Sequence, residues 1–522
     1  MFDTGNAILD DVLSSIPRDY RGPGGAFAVL KDGEVIARHA WGYADLERHI
    51  PMTTKTLMPM CSISKEFTCS AMLEALDDPA VLDAAVRRYL PLLEGPMPRA
   101  VDLANNQSGL RDYWALTVLS GASPQGECRA EDGKHLLSLA RTTHFDPGSQ
   151  YSYANGNFRI LSDLIAVHTG RPLGDWVKER IFGPAGMKTA EWCEESSEFP
   201  GDAVGYEGSM ATGHFPAINK IHLSGDSGVN ASLEDMIAWE QFVDATREDE
   251  NSIYRRISAR TTYSDGKPAC YSFGLRHMDF GGVAMTGHGG ALRGWRLQRR
   301  YSPAERLSVV VMFNHEISAP EVADKITAAA LGVKATAMTD LVVDLSWCGH
   351  YFDETDTKLS LTVSIAGPGR IKARFGTAAD ILEVVDETTA SSRLTTLTRT
   401  VGGMRLERGD ENLLIDMVRI GGHAKKDVAG RYYSDELGAE LVCEDAGGEH
   451  YVAFEGFLGK GAMQPIYPIG SDVWIMPNER AMDSAAPGDW TVVFDRDDDG
   501  VVKQVTVGCW LARKVIFVRR QS

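Results

Sequence analysis

The hydrophobic pattern of this chain changes near Val333, and no other feature constrains its fold as strongly. Before that point, helical periodicity dominates from 62 to about 182, between two regions of strand-like alternation. After it, only short alternating runs and turn residues remain, as in antiparallel sandwiches and barrels. The sequence therefore predicts an α+β protein with a mixed domain first and β domains behind it.

The mixed part is expected to build one antiparallel sheet from both of its ends. Residues 24–43 predict two strands joined by a turn, and four β-rich runs lie between 271 and 314. A predicted helix over Ala319–Leu331 closes this part. Because helices fill the interval between the strand regions, we expect them to pack against the sheet.

The β part contains an internal repeat. Residues 348–354 resemble 429–435, and 373–376 resemble 453–456, at nearly the same interval. A repeat of this kind predicts two similar β modules, with a boundary near Ile420. The predicted domains are 1–333, 334–419 and 420–522.

Composition restricts the partners of the chain. Its 522 residues, 43% hydrophobic and 24% charged, are typical of a globular protein of two or three domains. A formal net charge of -19 argues against nucleic acid or an anionic membrane as a partner. No stretch approaches the ~20 apolar residues of a membrane span, and residues 1–6 lack the features of a secretory signal. We therefore expect a cytoplasmic protein.

The eight cysteines are scattered, and no two form a C-x-x-C pair. Buried free thiols are expected rather than a zinc site or a disulfide framework. The sequence predicts no metal and no cofactor.

A Ser-x-x-Lys pattern, Ser62 to Lys65, stands at the start of a predicted helix. The spacing puts both side chains on one helix face. A buried amine can take the proton of a serine hydroxyl, and the helix N-terminus offers N–H groups to an oxyanion. Chance can produce such a match in a chain of this length, and Ser264 to Lys267 is a second one. That second match lies in a polar turn and presents no helix face.

Two further motifs follow in chain order. Tyr153 belongs to the only Tyr-x-Asn in the chain, and a tyrosine near Lys65 can ionise and act as a general base. The Asn155 amide can orient a substrate carbonyl or Lys65 itself. In His288-Gly289-Gly290 the glycines allow substrate close to a strand edge, and His288 can relay a proton or hold the substrate. Each motif alone also fits a purely structural role.

Together, the three motifs resemble those of the penicillin-recognising serine hydrolases, the superfamily of D,D-peptidases and serine β-lactamases. Its Ser-x-x-Lys, Tyr-x-Asn and Lys-Thr-Gly motifs are matched in order by 62–65, 153–155 and 288–290. In the third, histidine replaces lysine and removes a fixed positive charge. That departure argues against tight recognition of a free substrate carboxylate, and so against strong carboxypeptidase or β-lactamase activity.

Within the superfamily, the chain is similar to the D-stereospecific aminopeptidases, which carry the same histidine substitution. The similar stretches are 106–114, 181–188, 287–296 and 454–460. The resemblance spans nearly the whole chain. It implies a β-lactamase/D,D-peptidase-like catalytic domain, two antiparallel β-barrel domains, a homodimer, and release of N-terminal D-amino acids, typically D-Ala, from peptides and amides.

The resemblance also implies roles for residues. Ser62 forms an acyl-enzyme that water hydrolyses, and Lys65 and Tyr153 share the proton transfers, with the choice of general base left open. The oxyanion lies between the backbone N–H groups of Ser62 and Ala291, and the recycled proton passes through His288. The expected substrate-binding residues are Asn155, Gly289, Gly290, Ala291 and Asp483.

A loop of the last barrel reaches the active site in the resembling enzymes, and the corresponding stretch here is 477–485. An aminopeptidase must recognise a protonated amine, for which Asp483 is the candidate carboxylate. We expect the loop to exclude long N-terminal extensions and β-lactams.

Two other motifs are interpreted as structural. Residues 225–228, Gly-Asp-Ser-Gly, resemble the nucleophile loop of trypsin-like proteases, but no histidine loop accompanies them and a turn is predicted. Residues 495–500 begin like a calcium loop, but Thr506 stands where glutamate is needed, so a hairpin turn is predicted.

Two alternative functions remain open. An esterase or weak D,D-peptidase or β-lactamase-like enzyme of the same superfamily would not require a free N-terminal amine. A catalytically silent receptor for penicillin or D-peptides would acylate without turnover, and the joint presence of Ser62, Lys65 and Tyr153 argues against it.

Overall fold

The first part of the chain forms an eight-stranded antiparallel sheet from both of its ends, as predicted. The computed structural model describes residues 2–333, 342–376, 379–478, 480–484 and 488–520. In order across the sheet, the strands are Tyr271–Ser272, Leu275–Phe280, Val283–Leu292, Trp295–Ser302, Leu307–Phe313, Gly24–Lys31, Glu34–Asp45 and Ile50–Pro51.

Helices cover both faces of this sheet, so strand Gly24–Lys31 is buried along nearly its whole length. On one face, Ala26 and Ala28 share a core with Phe67 of helix Ser64–Ala75. On the other, Phe27 and Val29 share a core with helices Ala7–Asp19 and Ala319–Leu331. The further helices are Asp83–Val86, Ala100–Ala104, Tyr113–Leu119, Ala130–Ser138, Asn155–Thr169, Leu173–Val177, Gly183–Ala185, Leu233–Thr246 and Ile253–Ile257.

The next β module is a closed barrel of eight strands. Its first strand pairs with its last, with His350 opposite Ile420. Its interior holds apolar side chains that alternate along the strands, such as Leu361, Leu397 and Leu406. The strands are Gly349–Phe352, Ser360–Gly367, Arg370–Phe375, Asp380–Val384, Thr389–Ser391, Thr396–Thr400, Gly403–Arg408 and Leu413–Ile420.

The last module is a ten-stranded antiparallel sheet that curls round on itself. The two halves of segment 464–468 pair with different strands, Glu449–Gly456 and Val473–Met476, so this segment joins the two sides of the sheet. Both repeated segments fall in the first and third strands of the two modules. The strands are Gly430–Ser434, Ala439–Ala446, Glu449–Gly456, Gly459–Lys460, Gln464–Pro465, Tyr467–Pro468, Val473–Met476, Trp490–Arg496, Val502–Cys509 and Ala512–Arg519.

Both β modules dock on the first domain beside the motifs that the sequence singled out. The backbone N–H of Asp112 donates to the carbonyl of Leu511 at 2.8 Å, in the last module. The backbone N–H of Tyr151 donates to the carbonyl of Glu411 at 3.1 Å, in the closed barrel. These contacts attach the segments before Tyr153 and around Asp112 to two other domains. Residues 334–341, which contain the predicted boundary after 333, lie outside the described residues.

None of the described helices has the length and apolar character needed to cross a membrane. All eight cysteines are free thiols, and six of them are buried.

Candidate active site

Ser62 lies in a tight turn that opens the nucleophile helix. The turn, Cys61–Ile63, is a 3-10 helix that runs directly into helix Ser64–Ala75. Cys61 has a φ of 51°, which is unusual for a residue with a side chain. The neighbouring N–H of Met60 donates to the carbonyl of Val229 at 2.7 Å and fixes the turn from outside. The sequence predicted the helix but not this strained entry to it.

Lys65 is fully buried and makes three hydrogen bonds. Its Nζ donates to Ser62 Oγ at 2.9 Å, to Asn155 Oδ1 at 2.8 Å and to the carbonyl of Asp226 at 2.9 Å. Burial lowers the pKa of Lys65 from its ordinary value to about 8, although the charges of Asp226 and Asp112 oppose this shift. About a tenth of the amine is therefore neutral at pH 7, far more than for an ordinary lysine, which suits a general base.

Tyr153 approaches Ser62 from the other side. Its hydroxyl donates to Ser62 Oγ at 2.8 Å, and Lys65 Nζ lies 5.0 Å from the centre of its ring. Burial raises the pKa of Tyr153 well above its ordinary value. In the resting site Tyr153 is therefore a neutral phenol and a hydrogen-bond donor.

Asp112 holds Asn155 in the orientation that Lys65 needs. The Asp112 carboxylate accepts from the backbone N–H of Asn155 at 2.7 Å and from its Nδ2 at 3.2 Å. This leaves Oδ1 of Asn155 facing Lys65 Nζ. Burial, followed by the nearby charge of Asp483, raises the pKa of Asp112 to about 7. Of the two roles predicted for Asn155, this hydrogen bond agrees with the orientation of Lys65.

Strand Val283–Leu292 forms the opposite wall. A Cβ on Gly290 would lie 2.5 Å from the carbonyl oxygen of Met60, so the close approach of this strand to the nucleophile turn requires glycine. Gly289 and Ala291 line the same cavity. The third motif therefore lies where the sequence predicted it, beside Ser62.

His288 lies in this wall, and its ring hydrogen-bonds to groups other than Ser62. Its Nε2 shares a hydrogen bond with Tyr271 Oη at 2.9 Å, and its Nδ1 contacts the carbonyl of Gly289. Its ring centre lies 6.1 Å from that of Tyr153. Burial, together with the charge of Lys65, lowers the pKa of His288 to about 3, so the ring is neutral.

A cavity of about 490 Å³ opens over these residues. It is bounded by all three motifs and by residues from the β modules, which include Asp483, Leu511 and Arg393. All three domains therefore contribute residues to the walls of the cavity. Of the predicted site residues, Ser62, Tyr153, Asn155, His288, Gly289, Gly290, Ala291 and Asp483 line it.

The loop of the last module enters this cavity through Asp483. The carbonyl of Asp483 accepts from the backbone N–H of Arg293 at 2.8 Å, at the end of strand Val283–Leu292. Arg480 is ion-paired with Glu207 at 2.9 Å and anchors the loop to the first domain. Burial raises the pKa of Asp483 to about 6. Of the predicted loop 477–485, Glu479 and Ala485 lie outside the described residues.

Sequence reasoning missed the part played by Asp226. The segment 225–228 does form a turn, as predicted, but that turn borders the cavity and gives Lys65 a hydrogen-bond acceptor. The Asp226 carboxylate accepts from Tyr113 Oη at 3.1 Å and from Trp114 Nε1 at 3.3 Å. The one sequence signal for this role is the adjacent pair Tyr113 and Trp114, because two neighbouring side-chain donors can bind one carboxylate.

The two other motifs lie outside the site. Lys267 is exposed and pairs with Asp265 at 3.1 Å, so the second Ser-x-x-Lys pattern is part of a surface turn. Residues 495–500 form the predicted hairpin connection, in which the N–H of Asp497 donates to the carbonyl of Val501 at 2.9 Å.

Comparisons with known proteins agree with this geometry. A family model described as Beta-lactamase matches residues 9–334, and one described as D-aminopeptidase, domain B, matches 341–518. A D-aminopeptidase of Brucella anthropi is 51% identical over 520 residues, which is 100% of this chain and 99% of the relative. A D-aminopeptidase of Brucella canis is 51% identical over 511 residues, which is 98% of each chain.

Two solved structures share the fold. The octameric penicillin-binding protein homologue from Pyrococcus abyssi has a TM-score of 0.54 at 19% identity and covers 86% of this chain and 98% of its own. The D-amino acid amidase from Ochrobactrum anthropi SV3 has a TM-score of 0.52 at 22% identity, over 62% of this chain and 99% of its own. With relatives of 51% identity over its full length, the chain belongs to the D-aminopeptidase family of β-lactamase-like proteins.

Proposed function

We propose that this protein is a serine hydrolase that releases N-terminal D-amino acids, D-Ala in preference, from peptides and amides through an acyl-enzyme on Ser62. The observation that carries the proposal is that Lys65 Nζ and Tyr153 Oη both bind Ser62 Oγ, at 2.9 and 2.8 Å, at the floor of a cavity that also holds Asp483. The family relatives named as D-aminopeptidases support the substrate class.

Lys65 acts as the general base in the first step. Its pKa of about 8 lies close enough to neutrality for the free amine to take the Ser62 proton, whereas the raised pKa of Tyr153 keeps that side chain a phenol. Tyr153 then donates its proton to the leaving amine and recovers it through Lys65. These transfers restore the protonation states of Lys65 and Tyr153 and leave Ser62 acylated. Water then attacks the ester with Lys65 and Tyr153 again transferring the protons, which releases the D-amino acid and returns the Ser62 hydroxyl.

The developing oxyanion lies between the backbone N–H groups of Ser62 and Ala291. The close approach of Gly290 to the carbonyl of Met60, beside the helix entry at Ser62, supports this arrangement. His288 shapes the wall through Tyr271, and its hydrogen bonds support a positioning role more directly than the proton relay expected from the resemblance.

The substrate ammonium is held by Asp483. A carboxylate buried in the cavity gains a strong charge-assisted hydrogen bond when the amine arrives. Asp112 and Asp226 line the same cavity as Asp483 and make it acidic. Free N-terminal amines are therefore favoured over acylated ones, which separates this proposal from an esterase or D,D-peptidase.

The test is release of p-nitroaniline from D-Ala-p-nitroanilide, L-Ala-p-nitroanilide and N-acetyl-D-Ala-p-nitroanilide. Cleavage of the free D-form alone supports the proposal. Reaction only with simple esters or labelled penicillin moves the assignment to the esterase or penicillin-binding alternative, and acylation without turnover moves it to a silent receptor.

A cytoplasmic location and a homodimer complete the proposal. Both come from sequence features and family resemblance. Light scattering of the purified protein tests the dimer, and fractionation of the source cells tests the location.

A further inference from the structure

Strand Val283–Leu292 has a free edge inside the cavity. Strand Leu275–Phe280 pairs with residues 283–287, and the last pair along the ladder is Arg276 opposite Gly287. Beyond that pair, residues 288–292 have no strand partner on this side within the described ranges. Five residues of free edge span about 16 Å, enough for a short extended peptide to pair with the strand.

The two ends of this edge carry opposite charges. The backbone carbonyl of Asp483 accepts from the N–H of Arg293, directly after the strand, and Asp483 lines the cavity, so its carboxylate belongs to this end. Arg276 stands at the other end, opposite Gly287, and lines the cavity together with Arg393. When the substrate ammonium lies at Asp483, the leaving group therefore extends along the strand toward the two arginines.

Arg393 comes from a different domain. It lies in the turn between strands Thr389–Ser391 and Thr396–Thr400 of the closed barrel. Arg276 and Arg393 line the same cavity, which is the geometric basis for considering them together. Burial, followed by the charge of Arg276, lowers the pKa of Arg393. Two positive charges that line one cavity favour an anion in it.

The other arginines of the cavity are already neutralised. Arg296 pairs with Glu316 at 3.1 Å, and Arg300 pairs with Asp324. In the part of the chain that the structure describes, neither Arg276 nor Arg393 forms an ion pair. The Arg276 guanidinium instead lies 5.7 Å from the centre of the Tyr151 ring. The charges of Asp410 and Glu411 act on Arg276 from beyond ion-pair distance.

We propose that Arg276 and Arg393 bind the C-terminal carboxylate of the leaving peptide, so that the preferred substrates are short D-aminoacyl peptides with a free C-terminus. From Ala291 to Gly287 the strand covers about 13 Å, which a leaving group of one or two residues and an arginine side chain fill. The two guanidinium groups supply the positive charge that His288 does not. The proposal rests on the proposed D-aminopeptidase function.

The test compares D-Ala-Gly-Gly with D-Ala-Gly-glycinamide, which differ by one negative charge. The readout is the ratio of their kcat/KM values in the wild type, in Arg393→Gln and in Arg276→Gln, with thermal unfolding as a folding check. Arg405→Gln is the matched control, because Arg405 lies on the same barrel and pairs with Asp416. The ratio is internal to each variant, so a partial loss of folded protein does not alter it.

The wild-type ratio should be about tenfold or more in favour of the free carboxylate, as expected for a charge-assisted hydrogen bond. It should fall toward one in both variants and keep its wild-type value in Arg405→Gln. A wild-type ratio near one, with D-Ala-p-nitroanilide still cleaved, overturns the carboxylate site alone. A ratio that survives Arg393→Gln removes Arg393 from the site, and failure to cleave any D-Ala substrate overturns the site and the proposed function together.

Discussion

Arg299 forms a fully buried ion pair with Glu66, with 2.7 Å between Nη1 and Oε2. The same guanidinium binds Glu240 through Nε and Nη2, at 2.5 and 3.0 Å. Glu66 belongs to the nucleophile helix Ser64–Ala75, and Arg299 belongs to the sheet strand Trp295–Ser302. This network therefore fixes the helix that carries Ser62 and Lys65 against the sheet.

Arg299→Met should destabilise the protein strongly. It leaves two buried carboxylates without a cation, and losing one partner of a buried ion pair costs about 3 to 5 kcal/mol. Arg405→Met, which breaks the exposed pair with Asp416, should cost about 1 kcal/mol or less. Urea denaturation measures both, and equal losses in the two variants would show that the buried network does not stabilise the helix.

The pH profile of kcat/KM should report Lys65. As a base it must be neutral, so activity should rise with pH through its pKa of about 8. Asp226→Asn removes a charge that favours the protonated amine, and the rising limb should move to lower pH. Because the wild type and Asp226→Asn are assayed with the same substrate, titration of the substrate amine affects both pH profiles equally and does not contribute to the difference between them. A limb that stays in place or moves to higher pH would rule out this coupling.

Asp483→Asn should lower kcat/KM for substrates with a free amine by about 10- to 100-fold, since a charge-assisted hydrogen bond is lost. In the wild type, KM should rise as pH falls through about 6, because Asp483 then becomes protonated and loses its negative charge. Asp498→Asn, at an exposed position of the same module, is the control. Equal kcat/KM values of Asp483→Asn and Asp498→Asn for substrates with a free amine would show that Asp483 does not bind the ammonium.

Replacing residues 478–484 by two glycines should admit penicillins to Ser62. The replaced loop carries Asp483 into the cavity and is anchored by the ion pair of Arg480 with Glu207. Labelling with a fluorescent penicillin, followed by mass spectrometry of the Ser62 peptide, measures the effect. The Ser62→Ala form of the shortened protein gives the background, and labelling no higher than that background would count against the loop as a filter.

The reacting groups could be predicted because their chemistry is encoded in short spacings. Ser62 and Lys65 are one helical turn apart, and Tyr153 lies in a distinctive tripeptide. What the sequence did not show is that burial keeps Tyr153 a phenol and gives Lys65 a pKa suited to a base. These properties depend on the tertiary environment of each side chain.

Asp226 and Arg299 could not be predicted for the same reason. Asp226 is far from Lys65 in the sequence, and its local pattern indicates only a turn. Arg299 in a strand is ordinary until Glu66 and Glu240 are known to face it. By contrast, helix Ala7–Asp19 was missed although its signals are present: Asn6 caps it through hydrogen bonds from two backbone N–H groups, and buried leucines follow at helical spacing.

Every step proposed for this D-aminopeptidase depends on Ser62 as the nucleophile. The most direct measurement is kcat/KM for D-Ala-p-nitroanilide in Ser62→Ala, with circular dichroism and thermal unfolding to show an intact fold. We predict an unchanged fold and a loss of activity of at least about 10⁴-fold, as expected when a serine nucleophile is removed. Clean Ser62→Ala protein that retains more than a trace of activity would contradict it.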